Sequence, residues 1–167
     1  MSTALEPAGL SALPTGGELG VLLDGLLDRG VTAVEQPEPC LPGRDVRIVA
    51  SYVDDAAEVR VVVLLDLPLG TGLGAALALV PAPRVAEAVR EGVVPPDLAD
   101  NTREVLNVAA SLFTSAGVHL KLAEVAVAPD LVGERTVDFL RVPRRRSDMR
   151  VSVPGYVDGL LAIVAST

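Results

Sequence analysis

Apolar residues recur along this chain in two rhythms, and the switches between them mark its elements. Leu19, Leu22, Leu23, Leu26 and Leu27 fall at helical spacing and predict a helix over residues 17–29. EQPEPCLPG (35–43), with three prolines, reads as a loop. DVRIVASYV (45–53) and EVRVVVLLDL (58–67) are β-rich runs joined by a turn-like DDAA. GLGAALALV (72–80) reads as another apolar strand, followed by a short helix at PRVAEAVRE (83–91) and a loop at GVVPPD. One longer helix is expected from about 97 to 116, then strands at HLKLAEVAVAP (119–129), TVDFLRV (136–142), MRVSV (149–153) and GLLAIVA (159–165). The basic PRRRSDMR (143–150) reads as a connector between strands. Strands in runs, with helices between and before them, predict a two-layer α+β fold with helices on one side of a mostly antiparallel sheet. Residues 1–15 are expected to be a loose segment and 16–167 a single domain.

The longer helix carries the chemistry of most interest. Its opening, DNTREVLN (100–107), holds an Asp-x3-Glu-x2-Asn spacing. At about 100° per residue, Asp100, Glu104, Asn107 and Ser111 lie within roughly 60° of one another. Leu98, Val105, Ala109, Leu112 and Phe113 cluster about 160° away, so the polar quartet lies opposite the buried stripe. Both asparagines of the chain, Asn101 and Asn107, are on this helix, although Asn is a mediocre helix former. Two readings are open. The face is either an ordinary solvated one, or an acid–amide pair able to grip a cation and orient a water. For Asp100 there is a further structural reading. With Asp97 as the helix cap, Asp100 would take the third helical position and complement the helix dipole. Glu104 lies past the first turn and Asn107 in mid-helix, so capping accounts for neither.

Composition narrows the classes. Half the residues are apolar, yet the 167-residue chain has no Trp and only two Phe and two Tyr, so its core must be built from Val, Leu and Ala. A net charge of −8 with so few aromatics argues against nucleic-acid binding. The charge is uneven: residues 1–100 carry 15 acidic and 6 basic side chains, net −9, and residues 101–167 carry 7 and 8, net +1. The start has neither a basic stretch nor an apolar one like those of a signal peptide, and 67–83 is too broken by Gly and Pro to span a bilayer. With a single cysteine, Cys40, a reducing cytoplasm is the expected setting, away from the membrane.

The element order around residues 72–129, with Asp-x3-Glu-x2-Asn opening the longer helix, resembles the CheC/CheX/FliY group of chemotaxis phosphatases. The single-site CheX type is the nearest match, over roughly residues 45–166. That resemblance implies a CheC-like fold and hydrolysis of the aspartyl phosphate on a phosphorylated CheY-type response regulator. It implies no cofactor or metal of the chain's own, Mg2+ on the regulator, and a homodimer. Carried over by position, Glu104 would pair with a lysine of the partner and Asn107 would orient the attacking water. Asp100 takes the motif's first acidic position. Family members usually continue as Asn-x3-Gly, and Ser111 stands at that glycine, where it would meet an approaching partner. Two-site members repeat the motif on an earlier helix; here Glu18 is followed three residues later by Val21, which leaves one active face.

The chemistry suits so sparse an inventory. A receiver domain brings its own metal and lysine, so a positioned carboxamide that places a water in line suffices. A catalytically inactive receiver-binding or dimerisation module on the same scaffold is the alternative. Other candidates are thinner. GTGLGA (70–75) invites a phosphate-loop reading but lacks the GxGxxG spacing and a Lys-Ser/Thr ending, and a glycine-rich turn or bulge is its plainer reading. His119 is the sole histidine, too few for a zinc site with one thiol, and a Cys40–His119 nucleophile pair would require a loop cysteine to meet a strand residue. PRRRSDMR is either a solvated turn or an anion site.

Overall fold

The computed structural model describes residues 10, 12–114, 119–128, 131–142 and 144–166. Thr15 starts the first helix, α1 (Gly16–Leu27), with a reciprocal cap. The Glu18 N–H donates to the Thr15 hydroxyl, and the Thr15 N–H donates back to the Glu18 carboxylate. Leu19, Leu23 and Leu27 are buried, with Leu22 and Leu26 half-buried beside them. Next in the chain is a short strand, β1 (Thr32–Glu35); at four residues it is too brief to announce itself by alternation. Of the expected loose segment, residues 1–9 and 11 lie outside the described residues, and Leu10 is buried in the main core with Leu13 packed against it.

β2 (Val46–Val53) and β3 (Val59–Asp66) form the expected hairpin, its turn held by Asp54, which accepts from the N–H groups of Ala56 and Glu58. Alternation then sorts the side chains. Ile48, Ala50, Tyr52, Val61, Val63 and Leu65 join the large core under the helices, while Val46, Val49, Val62 and Leu64 face a smaller core on the other side.

The run 72–80 is not a strand. Most of it lies in a helix, α2 (Leu67–Leu77), because Asp66 both ends β3 and caps this helix. Its carboxylate accepts from the Leu69 N–H at 3.0 Å and from the Leu160 N–H at 2.9 Å, and Pro68 stands in the first turn. Leu69 through Ala76 are all buried, so the helix shows no polar face that could betray its period. The glycine-rich segment is therefore helix interior rather than a turn or bulge.

The next two helices, α3 (Ala82–Glu91) and α4 (Pro96–Ala109), are tied together by an exposed Arg84–Asp97 ion pair at 2.7 Å. The single helix expected over 97–116 is divided at Ala110, whose N–H reaches the carbonyls of both Asn107 and Val108; α5 (Ser111–Thr114) continues it, and residues 115–116 lie outside the described residues. β4 (Lys121–Val127) comes next.

The expected strand at 136–142 is instead helix α6 (Glu134–Arg141). Thr136 and Phe139 are its buried residues, three apart, and Glu124 of β4 fixes its start by accepting from the Gly133 N–H at 2.7 Å. The basic connector is also corrected, because β5 (Arg145–Ser152) runs through it. Arg146 pairs with Asp148 at 2.6 Å, and Asp148, with its side chain 1% exposed, accepts from the N–H groups of Cys40 and Leu41. Charges that read as a solvated turn are thus consumed by a tertiary contact. β6 (Gly159–Ala165) completes the chain as expected.

The six strands form one fully antiparallel sheet in the order β1-β5-β6-β3-β2-β4. Exchanging β1 with β4, β2 with β5 and β3 with β6 gives the same order read from the other edge, and α1 lies against one edge strand and α4 against the other. The α+β class holds: α1, α2 and α4 share the large core, while the short α6 partly covers the opposite face through Phe139. Buried aromatics are limited to Tyr52, Phe113 and Phe139 among the described residues, so Val, Leu and Ala fill the interior. No described helix is long and apolar enough to cross a membrane.

Gly74 is where α2 and α4 come closest. A Cβ there would overlap the Leu98 carbonyl oxygen and stand 2.8 Å from the Thr102 hydroxyl. An ordinary mid-helix Gly→Ala change stabilises by about 0.5–1 kcal/mol. Here Gly74→Ala should reverse that sign and cost about 1–3 kcal/mol through overpacking. Urea denaturation followed by circular dichroism checks this; an unchanged or raised midpoint would contradict the packing described.

Candidate functional site

The site helix is held from below by two buried contacts. The Thr102 hydroxyl donates to the Gly70 carbonyl at 2.7 Å, which joins α4 to α2. The Tyr52 hydroxyl, rising from the sheet, donates to the Leu106 carbonyl at 2.6 Å and spends a bond on the last turns of α4. Tyr52 is fully buried and packs edge-on against Phe113 with ring centroids 4.8 Å apart. Burial pushes the Tyr52 phenol above its ordinary range, so it remains a donor throughout neutral pH. Neither residue stood out in the sequence. Thr102 is one of the unassigned positions within the motif, and Tyr52 is one inward position in an apolar strand.

With that stripe buried, the opposite side of α4 is in solvent. Leu98, Thr102, Val105, Leu106 and Ala109 are buried, whereas Asp100, Glu104 and Asn107 are exposed on α4 and Ser111 is exposed at the start of α5. The three motif residues therefore share one accessible face, and Glu104 and Asn107 are separated by about 4.5 Å along the helix axis. No hydrogen bond within the protein engages the side chains of Asp100, Glu104 or Asn107 among the described residues. The Ser111 hydroxyl donates to the Val108 carbonyl at 3.0 Å, turning back on the helix rather than towards Asn107.

The capping account of Asp100 does not survive. Pro95 occupies the cap, Pro96 the first helical position and Asp97 the second, so Asp100 is fifth and past the first turn. The Asp97 carboxylate accepts from Arg84 at 2.7 Å. Its carboxyl is held below the ordinary range by the hydrogen bond from Arg84. Asp100 is thereby left with no capping or pairing task inside the protein.

The remaining candidates separate. Gly70, Thr71, Gly72, Leu73, Gly74 and Ala75 are buried inside α2 with their backbone in helical bonding, so they form no phosphate cradle. His119 precedes β4 and faces Asp55 of the β2–β3 turn at 3.5 Å, both largely exposed. Cys40 sits by Asp148 in the 37–43 loop, and burial, with the Asp148 charge adding to it, raises its thiol pKa, opposite to what a nucleophile requires. No group of three or more His, Cys, Asp or Glu that could hold a metal occurs among the described residues.

No protein-family model matches the sequence, and no curated protein matches it. Solved structures do match in shape. A chain of the FliM–SpeE complex from H. pylori superposes with a TM-score of 0.63 at 6% identity, over 90% of this chain and 81% of that one. FliY from Thermotoga maritima gives 0.52 at 13% identity, over 92% and 85%. CheX from Borrelia burgdorferi, in a complex with CheY, BeF3 and Mg2+, gives 0.50 at 11% identity, over 89% and 93%. This is the fold of FliY and CheX. The likeness covers about nine-tenths of the chain, more than residues 45–166 alone would supply.

Because Asp100 neither caps α4 nor pairs within the protein, Asp100→Ala should change stability by no more than about 0.5 kcal/mol. Thermal unfolding compared with the parent chain measures this. A loss approaching 1 kcal/mol would restore a structural role for the carboxylate and weaken its claim on a partner.

Proposed function

We propose that this chain is a CheX-like phosphatase that hydrolyses the aspartyl phosphate of a CheY-type response regulator in the cytoplasm. The observation that carries the reading is the α4 face: Asp100, Glu104 and Asn107 are exposed together and have no partners within the protein among the described residues. The CheX neighbour in a complex with CheY supports the choice of partner.

In this reading Asn107 uses its carboxamide to hold a water in line with the acyl phosphate. The water oxygen forms a bond to phosphorus, the bond from phosphorus to the regulator's aspartate oxygen breaks, and inorganic phosphate and a free carboxylate result. Mg2+ and a lysine on the regulator carry the developing charge, so this chain supplies position rather than acid–base chemistry. Glu104 grips the regulator's lysine as an ion pair across the interface. Asp100, one turn earlier, extends the acidic surface towards the partner.

A second reading has its own observation. Ser111 stands exposed one turn past Asn107, where the resembling family has glycine, and its side chain adds bulk on the approach path. A receiver-binding module without hydrolysis fits that. Phosphate release from a phosphorylated receiver domain, with and without this protein, separates the two. Asn107→Ala should lower the rate about 100-fold or more, as expected for loss of one preorganised polar group, with little change in stability. Glu104→Ala should act mainly on association, raising the receiver concentration needed for half-maximal rate. Hydrolysis by Asn107→Ala at the parent rate, or by neither protein, would remove the enzyme reading; binding without hydrolysis would then favour the module.

We also propose a homodimer. Edge strands β1 and β4 each leave one side unpaired among the described residues, and Val34 on β1 is 59% exposed. Light scattering should give twice the chain mass at tens of micromolar, where a tight dimer persists. A monomer mass at that concentration would overturn the proposal.

A further inference from the structure

A cleft of about 650 Å3 opens beside β3 and α6, with Arg60, Arg135 and Arg144 in its lining together with Glu58, Asp138 and Phe139. It lies on the sheet face covered by α6, away from α4. Each guanidinium is tethered by one nitrogen. Arg60 Nε donates to Asp54 at 2.7 Å, Arg135 Nη1 to the Ala57 carbonyl at 3.4 Å, and Arg144 Nε to the Phe139 carbonyl at 3.2 Å. Arg144 also lies over the Phe139 ring, 4.2 Å from its centroid. A guanidinium has five N–H donors, and no other hydrogen bond within the protein uses the remaining ones among the described residues.

The acidic neighbours are mostly engaged. Asp54 is taken by Arg60, and Asp138 accepts from Arg141 at 3.0 Å. Arg135 and Arg144 are left against Glu58 alone, a local reversal of sign in a chain of net charge −8. Arginine forks fixed by one bond and open on the other side match the oxygens of a phosphate, and the cleft has the volume of a small-molecule site. Glu58, which accepts only, suits a ligand that also carries a hydroxyl or amine beside its phosphate.

We propose that this cleft binds the phosphate group of a small phosphorylated metabolite through Arg135 and Arg144, with Arg60 as flank and Glu58 selecting against bare oxyanions. The basic run singled out in the sequence thus splits: Arg146 is spent on Asp148, and Arg144 serves the cleft.

The test titrates the full chain with ADP, inorganic phosphate or sulfate at constant ionic strength, followed by amide shifts in 1H–15N NMR spectra. Saturable shifts centred on residues 58–60, 135–139 and 144, tighter for ADP than for phosphate or sulfate, are expected. Arg135→Ala and Arg144→Ala should each weaken ADP about 10-fold, as for one charge-assisted contact. Arg144→Lys should recover part of that loss, and Arg90→Ala, on exposed α3, should leave binding unchanged. No saturation at low millimolar ADP overturns the proposal. So do saturation by phosphate but not ADP, equal responses to all three anions, or an equal loss in Arg90→Ala. Because Arg135 is exposed, its variant remains folded enough to read the outcome, and none of these readouts depends on the α4 face.

Discussion

The contact on which the rest of this molecule depends is the approach of α2 to α4 at Gly74. Two helix backbones meet where a single Cβ would overlap the Leu98 carbonyl oxygen, and the Thr102 hydroxyl closes the gap by donating to the Gly70 carbonyl. At that separation α4 has little freedom to rotate, since buried polar groups must keep their partners. Its rotation decides which residues see solvent. The same constraint explains why the glycine-rich run is buried helix: glycine's absent side chain is used here for close packing, not for a bend.

The sheet works as a two-sided sorter. Its helix side is largely aliphatic, and Tyr52 at its centre has its hydroxyl satisfied by the Leu106 carbonyl. Its other side is only partly covered by α6 and carries the charged knot of Arg146 and Asp148. Burial alone would push the Asp148 carboxyl upward, but the Arg146 hydrogen bond and the N–H groups of Cys40 and Leu41 outweigh it and bring it below the ordinary range. Folding therefore favours its ionised form. Its contribution is present above the unfolded carboxylate range and fades as pH falls through the depressed folded value. The knot anchors the proline-rich loop after β1, which no local signal positions.

The two sides also divide the chemistry. The acid–amide face lies over the helix layer, at the edge where α4 meets β4, and the arginine-lined cleft lies across the sheet beside α6. A partner protein on one side and a small anion on the other would not compete for space.

What the sequence determined by itself is what repeats in short range. The leucine spacing of α1 and the amphipathic stripe of α4 record burial on one side, so period and environment agree, and the β-branched apolar runs of β2, β3 and β6 record strands covered on both faces. The exposure of Asp100, Glu104 and Asn107 was legible from that stripe. Where a helix is buried all round or charge is consumed by distant partners, the local record fails. α2 is buried all round and has no period to read, α6 takes its start from Glu124, and β5 admits arginines because Asp148 and the Leu41 carbonyl receive Arg146. β1 exists because β5 offers it a ladder. Which helix locks against which, whether Asp100 caps or projects, and whether three arginines share a cleft depend on contacts across tens of residues. Those interactions are decided by the packed whole, because no window of sequence contains both partners.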